Sequence, residues 1–287
     1  MSVAMPAGYR LQMPIREHLL AGAALLAAGL CPAGAAAQAV VSTGRSFIEA
    51  ELVAGARAPG EDRIAGLSLS LAEGWKTYWR SPGESGVPPV FDWSGSRNLA
   101  SAEVLWPRPE LFESFGFQTV GYSRAVMLPL RLVPEDPARP MEVRLKASLG
   151  VCRELCVLEE FELAERIDPG EAEAAARVAR ALDAVPDGPA ESGLTAASCR
   201  IVGAGPERRF EARLSFAQPL SRPVVLVEGP ETVWIGATET VAEGGDLTVS
   251  APVEMLDSGA WIDRGDLRLT VLDGPFAADV RGCAAPG

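Results

Sequence analysis

Met141-Glu142-Val143-Arg144-Leu145-Lys146-Ala147 alternates apolar and charged side chains without a break, and the chain runs on to Val151-Cys152-Arg153-Glu154-Leu155-Cys156. Successive side chains of a strand point to opposite faces, so a period of two marks one face in a core and one in water. Residues 145–150 read as a strand entering the cysteine motif and residues 157–164 as a strand leaving it. The three residues between the cysteines suit a hairpin loop, which would set the two sulfurs across from each other at an exposed tip. Working outward, residues 47–53, 67–71 and 126–132 repeat the alternation, each bounded by Gly, Pro or Asp. Several such runs with no helix between them predict an antiparallel β-sandwich.

The pattern breaks at Asp168-Pro169-Gly170, and residues 171–182 are an Ala/Glu/Arg stretch of strong helix propensity. Its apolar content is mostly alanine, so it is expected to be a linker helix and not a core element. Val185-Pro186-Asp187-Gly188-Pro189 closes it, and strand patterning resumes at residues 209–215, 223–228, 232–236, 247–251, 267–272 and 276–281. The expected fold class is all-β: two immunoglobulin-like β-sandwich domains joined by a short helical linker. The sandwich with the cysteine pair spans residues 40–167, the linker 168–192 and the second β domain 193–287.

Residues 1–39 read as an address. Arg10 and Arg16 supply a basic start, residues 19–30 an Ala/Gly/Leu run, and Ala37-Gln38-Ala39 the small-x-small exit of a secretory signal peptide. The run is short of the roughly 20 residues a spanning helix needs. Cys31 raises a lipoprotein alternative, against which stands the bulky Leu30 directly before it. The expectation is a periplasmic protein, exported and cleaved. His18, the single histidine, falls in that leader, and a mature chain without imidazole excludes Ser-His-Asp triads, Cys-His dyads and His-containing zinc sites. A formal charge of −12 argues against nucleic acid as a partner.

Four cysteines then remain: Cys152, Cys156, Cys199 and Cys283. An even count in an exported protein points to disulfides, most simply one per domain. A Cys199–Cys283 bridge would tie the first strand of the second domain to its last, and loop-closure entropy gives it roughly 4.6 kcal/mol. A Cys152–Cys156 bridge closes so short a loop that it would contribute only roughly 2 kcal/mol. The long bridge is a structural staple. The short one has the character of an exchanging pair, although spacing alone leaves a small structural clip open, and a copper(I) site of two thiolates as well. Arg153 would favour a thiolate there, while Glu154 and Glu159 would oppose it.

Further residues carry a resemblance. Gly74-Trp75-Lys76-Thr77-Tyr78-Trp79-Arg80-Ser81-Pro82-Gly83-Glu84-Ser85-Gly86, Phe91-Asp92-Trp93-Ser94-Gly95-Ser96, Glu103-Val104-Leu105-Trp106-Pro107, Gly121-Tyr122-Ser123, Leu128-Pro129-Leu130 and the cysteine motif follow in order over about residues 45–165. This series resembles the periplasmic N-terminal region of DsbD-type protein-disulfide reductases, in particular the ScsB-like branch, whose arrangement the second β unit also fits. The resemblance implies that Cys152 and Cys156 are a catalytic pair relaying electrons, with no organic cofactor and no metal. It implies a membrane-embedded DsbD-like electron donor and clients that are periplasmic thioredoxin-fold or other disulfide-bearing proteins. It also implies a shielding phenylalanine on a cap loop, Phe115 first and Phe117 second, and a proton-shuttling acid at Glu113. Trp75, Tyr78, Trp79, Trp93 and Trp106 are expected to be mostly core.

Two departures qualify it. Full-length relatives continue into a polytopic domain and a thioredoxin-like domain, neither of which these residues contain, so the donor is expected to be a separate protein. Some relatives place five residues between the active cysteines where this chain has three. Two other functions remain in view: a non-catalytic envelope adaptor with structural disulfides, and a copper-handling protein, given the copper-stress association of ScsB-like proteins.

Overall fold

The computed structural model describes residues 46–57, 62–114, 116–167 and 172–286; the leader read in residues 1–39 lies outside them. The first sandwich is built from β1 (Ile48–Arg57), β2 (Arg63–Leu71), β3 (Lys76–Gly83), β4 (Val90–Asp92), β5 (Ser101–Val104), β6 (Glu110–Ser114), β7 (Phe117–Ser123), β8 (Ala125–Val133), β9 (Met141–Cys152) and β10 (Cys156–Ile167). One sheet has the order β1-β2-β8-β5; the other is six-stranded, β10-β9-β3-β7-β6 with β4 paired to β9. The period of two in β9 is realised residue by residue. Met141, Val143, Leu145, Ala147 and Leu149 are buried, while Glu142, Arg144 and Lys146 face water. The buried set meets Leu67, Leu69, Leu128 and Leu130 of the opposite sheet in one core.

Helix α1 (Ala172–Leu182) follows. Here the expectation of a helix outside the core needs correcting. Val178 is fully buried with Val53 and Ile64 from β1 and β2, and Met127, Ala174 and Leu182 pack around them. Ala174, Val178 and Leu182 recur at intervals of four, which puts them on one helical face. Gly55 of β1 and Gly66 of β2 leave room for the helix: a Cβ at either would stand 3.3 or 3.1 Å from a Val178 methyl.

The second sandwich comprises β11 (Leu194–Val202), β12 (Arg209–Phe216), β13 (Val224–Glu228), β14 (Val233–Ile235), β15 (Glu239–Glu243), β16 (Asp246–Met255), β17 (Arg268–Asp273) and β18 (Phe276–Arg281). Its sheets run β11-β12-β16-β14, with β15 also on β16, and β13-β17-β18. Phe210, Leu214 and Val249 of one meet Val225, Leu269 and Val271 of the other. Cys199 on β11 is bonded to Cys283 just beyond β18.

The two sandwiches touch directly. Leu226 of β13 packs against the first core, and Arg80 of β3 donates hydrogen bonds to Glu228 at the end of β13. The segment after α1 attaches to the second unit, where the Asp187 amide donates to Ala277 and the Asp279 amide to Asp187.

Candidate functional site

The long ladder between β9 and β10 runs in unbroken register from Met141↔Ile167 to Cys152↔Cys156. The hairpin therefore delivers the two cysteines opposite each other, and they are bonded, with their Cα atoms 4.1 Å apart. The Arg153 amide closes the tip by donating to the Leu155 carbonyl (3.0 Å). Cys152 is half-buried and Cys156 exposed.

Beneath the tip lies β3, whose Lys76 and Thr77 pair with Cys152 and Val151. The Thr77 hydroxyl donates to the Gly150 carbonyl (3.0 Å) in the buried interior. The next residue, Tyr78, is 9% exposed and carries its ring under the cysteines. Its hydroxyl lies 3.0 Å from Cys152 Sγ and 3.6 Å from Cys156 Sγ. A disulfide sulfur has no proton, so the phenol is the donor. Burial pushes the Tyr78 phenol above its ordinary value, so it keeps that proton at neutral pH.

Gly150 makes this approach possible: a Cβ there would stand 3.0 Å from both the Tyr78 ring and Val87. Val87 comes from the stretch after β3 that folds back over the tyrosine. With Leu158, which faces Gly150 across the ladder, and Leu155 in the tip, it forms an apolar rim; the three are 42%, 59% and 61% exposed.

The charged neighbours divide differently from the expectation of Arg153 against two glutamates. Arg153 turns its guanidinium toward the Trp75 ring (5.9 Å), which stacks on Phe47 at 3.8 Å. The Glu159 carboxylate accepts from the Phe47 amide (3.1 Å) and the Ser46 hydroxyl (3.3 Å). It anchors the start of the described chain to β10.

Of the cap residues, Phe115 lies outside the described residues. Phe117 is exposed and faces Ser114 in the β6–β7 hairpin, where Glu113 pairs with Gln118 and is exposed. The ladder sets Cys152 against Lys76 but Thr119 against Gly83, so this hairpin lies toward the far end of β3. Residues 83–88 connect the two places: the Glu84 amide donates to Gln118 at 3.2 Å, and Val87 packs over Gly150. Trp75 and Trp79 are buried as expected of core residues. Tyr78 is buried too, but its hydroxyl belongs to the site. The signal available for it was chemical, since a tyrosine amid core tryptophans still needs a partner for its O–H.

Among the described residues no group of three or more His, Cys, Asp or Glu is arranged around a metal position.

Comparison with known proteins bears on this geometry. Residues 45–167 match the family model described as thiol:disulfide interchange protein DsbD, N-terminal. The first sandwich is thus similar to the N-terminal region of DsbD over nearly its whole length. Residues 184–287 match a domain of unknown function, DUF8393. The crystal structure of the N-terminal periplasmic domain of ScsB from Proteus mirabilis aligns with a TM-score of 0.69 at 25% identity. That alignment covers 86% of this chain and 98% of that one. A search of curated proteins returns no match. The region that matches the DsbD model carries its cysteines on the β9–β10 hairpin, and the alignment with the ScsB fragment extends over most of this chain.

Proposed function

We propose that the protein is a periplasmic thiol:disulfide relay in which Cys152 and Cys156 are the exchanging pair. The observation that carries this reading is the asymmetry of the tip. One cysteine is exposed, while the other is half-buried with a protonated phenol 3.0 Å from its sulfur.

In the reductive half-reaction a thiolate of a donor dithiol attacks Cys156 Sγ. The Cys152–Cys156 bond breaks, a mixed disulfide forms on Cys156, and Cys152 leaves as a thiolate that accepts the Tyr78 hydrogen bond. The donor's second thiolate attacks its own sulfur in the mixed disulfide and releases Cys156. The donor is now a disulfide and the domain a dithiol, two electrons richer. In the second half, the Cys156 thiolate attacks a client disulfide, and Cys152 then attacks Cys156 Sγ, expelling the reduced client and restoring the bond. Exchange is faster when the leaving sulfur is the better-stabilised thiolate, and a charge-assisted hydrogen bond supplies that stabilisation.

The apolar rim of Val87, Leu155 and Leu158 supports a protein partner, because contiguous exposed apolar surface marks a contact that something covers. The donor in this reading is a membrane-embedded DsbD-like dithiol protein, and the clients are periplasmic thioredoxin-fold or other disulfide-bearing proteins. The family likeness alone would make Phe115 and Phe117 shields and Glu113 a proton shuttle; the register sets the hairpin that carries Phe117 and Glu113 toward the end of β3 away from the cysteines.

Trapping tests the assignment. Incubated with oxidised glutathione, the Cys152→Ser variant should accumulate a stable mixed disulfide on Cys156, and the Cys156→Ser variant far less. Equal or reversed trapping would contradict the order of attack, and no adduct on either would remove the relay.

A further inference from the structure

We propose that the second sandwich is a brace for the redox tip, and that Arg80 is the positioning residue through which it acts; this rests on the relay reading above. The strand carrying Tyr78 is held unevenly. Lys76, Thr77 and Tyr78 are paired with Ser123, Tyr122 and Gly121 of β7, and then the ladder skips until Gly83 meets Thr119. Residues 79–82 therefore lie in a register shift directly after the tyrosine that touches the sulfurs. Trp79 is fully buried, yet its indole N–H has no hydrogen-bond partner among the described residues, so no hydrogen bond of its side chain fixes this stretch. The polar fastening of this stretch is Arg80.

That fastening comes from the other sandwich. Arg80 Nε donates to Glu228 (3.0 Å), and Nη2 donates to Glu228 (2.8 Å) and to the Thr270 hydroxyl (3.0 Å). Asp279 stands 3.8 Å away and is itself held by Arg268. The Arg80 and Glu228 side chains are 11% and 18% exposed. The guanidinium also lies 3.6 Å over the Trp79 ring. A two-pronged guanidinium–carboxylate contact fixes direction as well as distance, and Leu226 on the same β13 packs into the first core beside it. Arg80 is two residues from Tyr78, a span of roughly 7 Å along a strand. A displacement of Arg80 therefore passes to the phenol with little slack. The unit matching a domain of unknown function thus gains a role, which is to keep the hydroxyl aligned on the leaving sulfur.

The test is a double-mutant cycle between the sandwiches. Glu228→Gln keeps the size of the side chain and removes its charge, at a residue of the second sandwich. Reduction of the Cys152–Cys156 bond by dithiothreitol should slow by about threefold to tenfold in this variant, the range seen when a positioning contact is lost. In a Tyr78→Phe background the same substitution should change nothing further. Thr270→Val, which removes a single hydrogen bond and leaves the ion pair, should move the rate in the same direction by a smaller factor and serves if Glu228→Gln does not fold. Wild-type rates in both variants would overturn the brace, as would an equal slowing with and without the Tyr78 hydroxyl. A wild-type bond that dithiothreitol does not open at all would instead overturn the relay on which the brace depends.

Discussion

In the proposed relay, Tyr78 is the buried hydroxyl that tunes the hairpin tip for exchange. Its phenol keeps its proton because burial raises the cost of losing it, and it lies nearer Cys152 than Cys156. Replacing it with phenylalanine leaves the ring in place and removes the donor. Tyr78→Phe should slow reduction of the tip by dithiothreitol about tenfold, the worth of roughly 1.4 kcal/mol for a hydrogen bond to a charged group. The alkylation profile of the reduced Cys152 should move to higher pH at the same time. Stopped-flow traces over a pH series read both, and an unchanged profile would assign the hydroxyl a purely structural part.

At the scale of elements, the β9–β10 hairpin was legible because its alternation is nearly complete and each buried residue follows from it. Strand β15 was not, and of β11 only a first strand at Cys199 was expected, without its bounds. Leu194-Thr195-Ala196-Ala197-Ser198 offers little contrast between faces, and Glu239–Glu243 is a short stretch whose residues are mostly exposed. The helix was legible as a helix, but its docking was hidden because alanine-rich composition masks the spacing of Ala174, Val178 and Leu182. The cysteines announced themselves by spacing, whereas Tyr78 meets a partner 74 residues downstream and Arg80 one 148 residues away, pairings that only the folded sheets create.

Two substitutions test these elements. Gly150→Ala would place a methyl against the Tyr78 ring and Val87; it should displace the phenol and slow tip reduction as Tyr78→Phe does, while near-ultraviolet circular dichroism reports the altered tyrosine. Val178→Ala should cost about 2 kcal/mol in urea unfolding, because a buried side chain is truncated. The same change at exposed Arg180 should have almost no effect.

For the molecule as a whole, the joint between the sandwiches combines the packing of Leu226 with the Arg80 ion pair, and Asp279, bonded to Arg268 and 3.8 Å from Arg80, makes part of the stability there depend on pH. Burial works against the charged form of Asp279, but hydrogen bonds and charge from Arg268, with Arg80 and Arg281, outweigh it and hold the carboxyl below its ordinary 3.8. A carboxyl depressed in the folded state contributes stability that is present above its unfolded value and lost as pH falls through the folded one. Asp279→Asn should therefore be less stable than wild type by about 2 kcal/mol at neutral pH, and thermal unfolding should show that gap closing below about pH 4. The two disulfides divide the remaining work. Cys199–Cys283 joins positions 84 apart and acts on the unfolded chain as a staple, so replacing both with alanine should lower stability by about 4 kcal/mol. In the proposed relay the tip bond, which closes a very short loop, contributes little to stability and is the one that opens. Its reduction potential tests this division most directly, by equilibrating the protein against glutathione and reading each pair by alkylation and mass spectrometry. Cys152–Cys156 should titrate above about −300 mV, with Cys199–Cys283 still closed. A tip bond that titrates below that value, or one that stays closed while the staple opens, would contradict the relay.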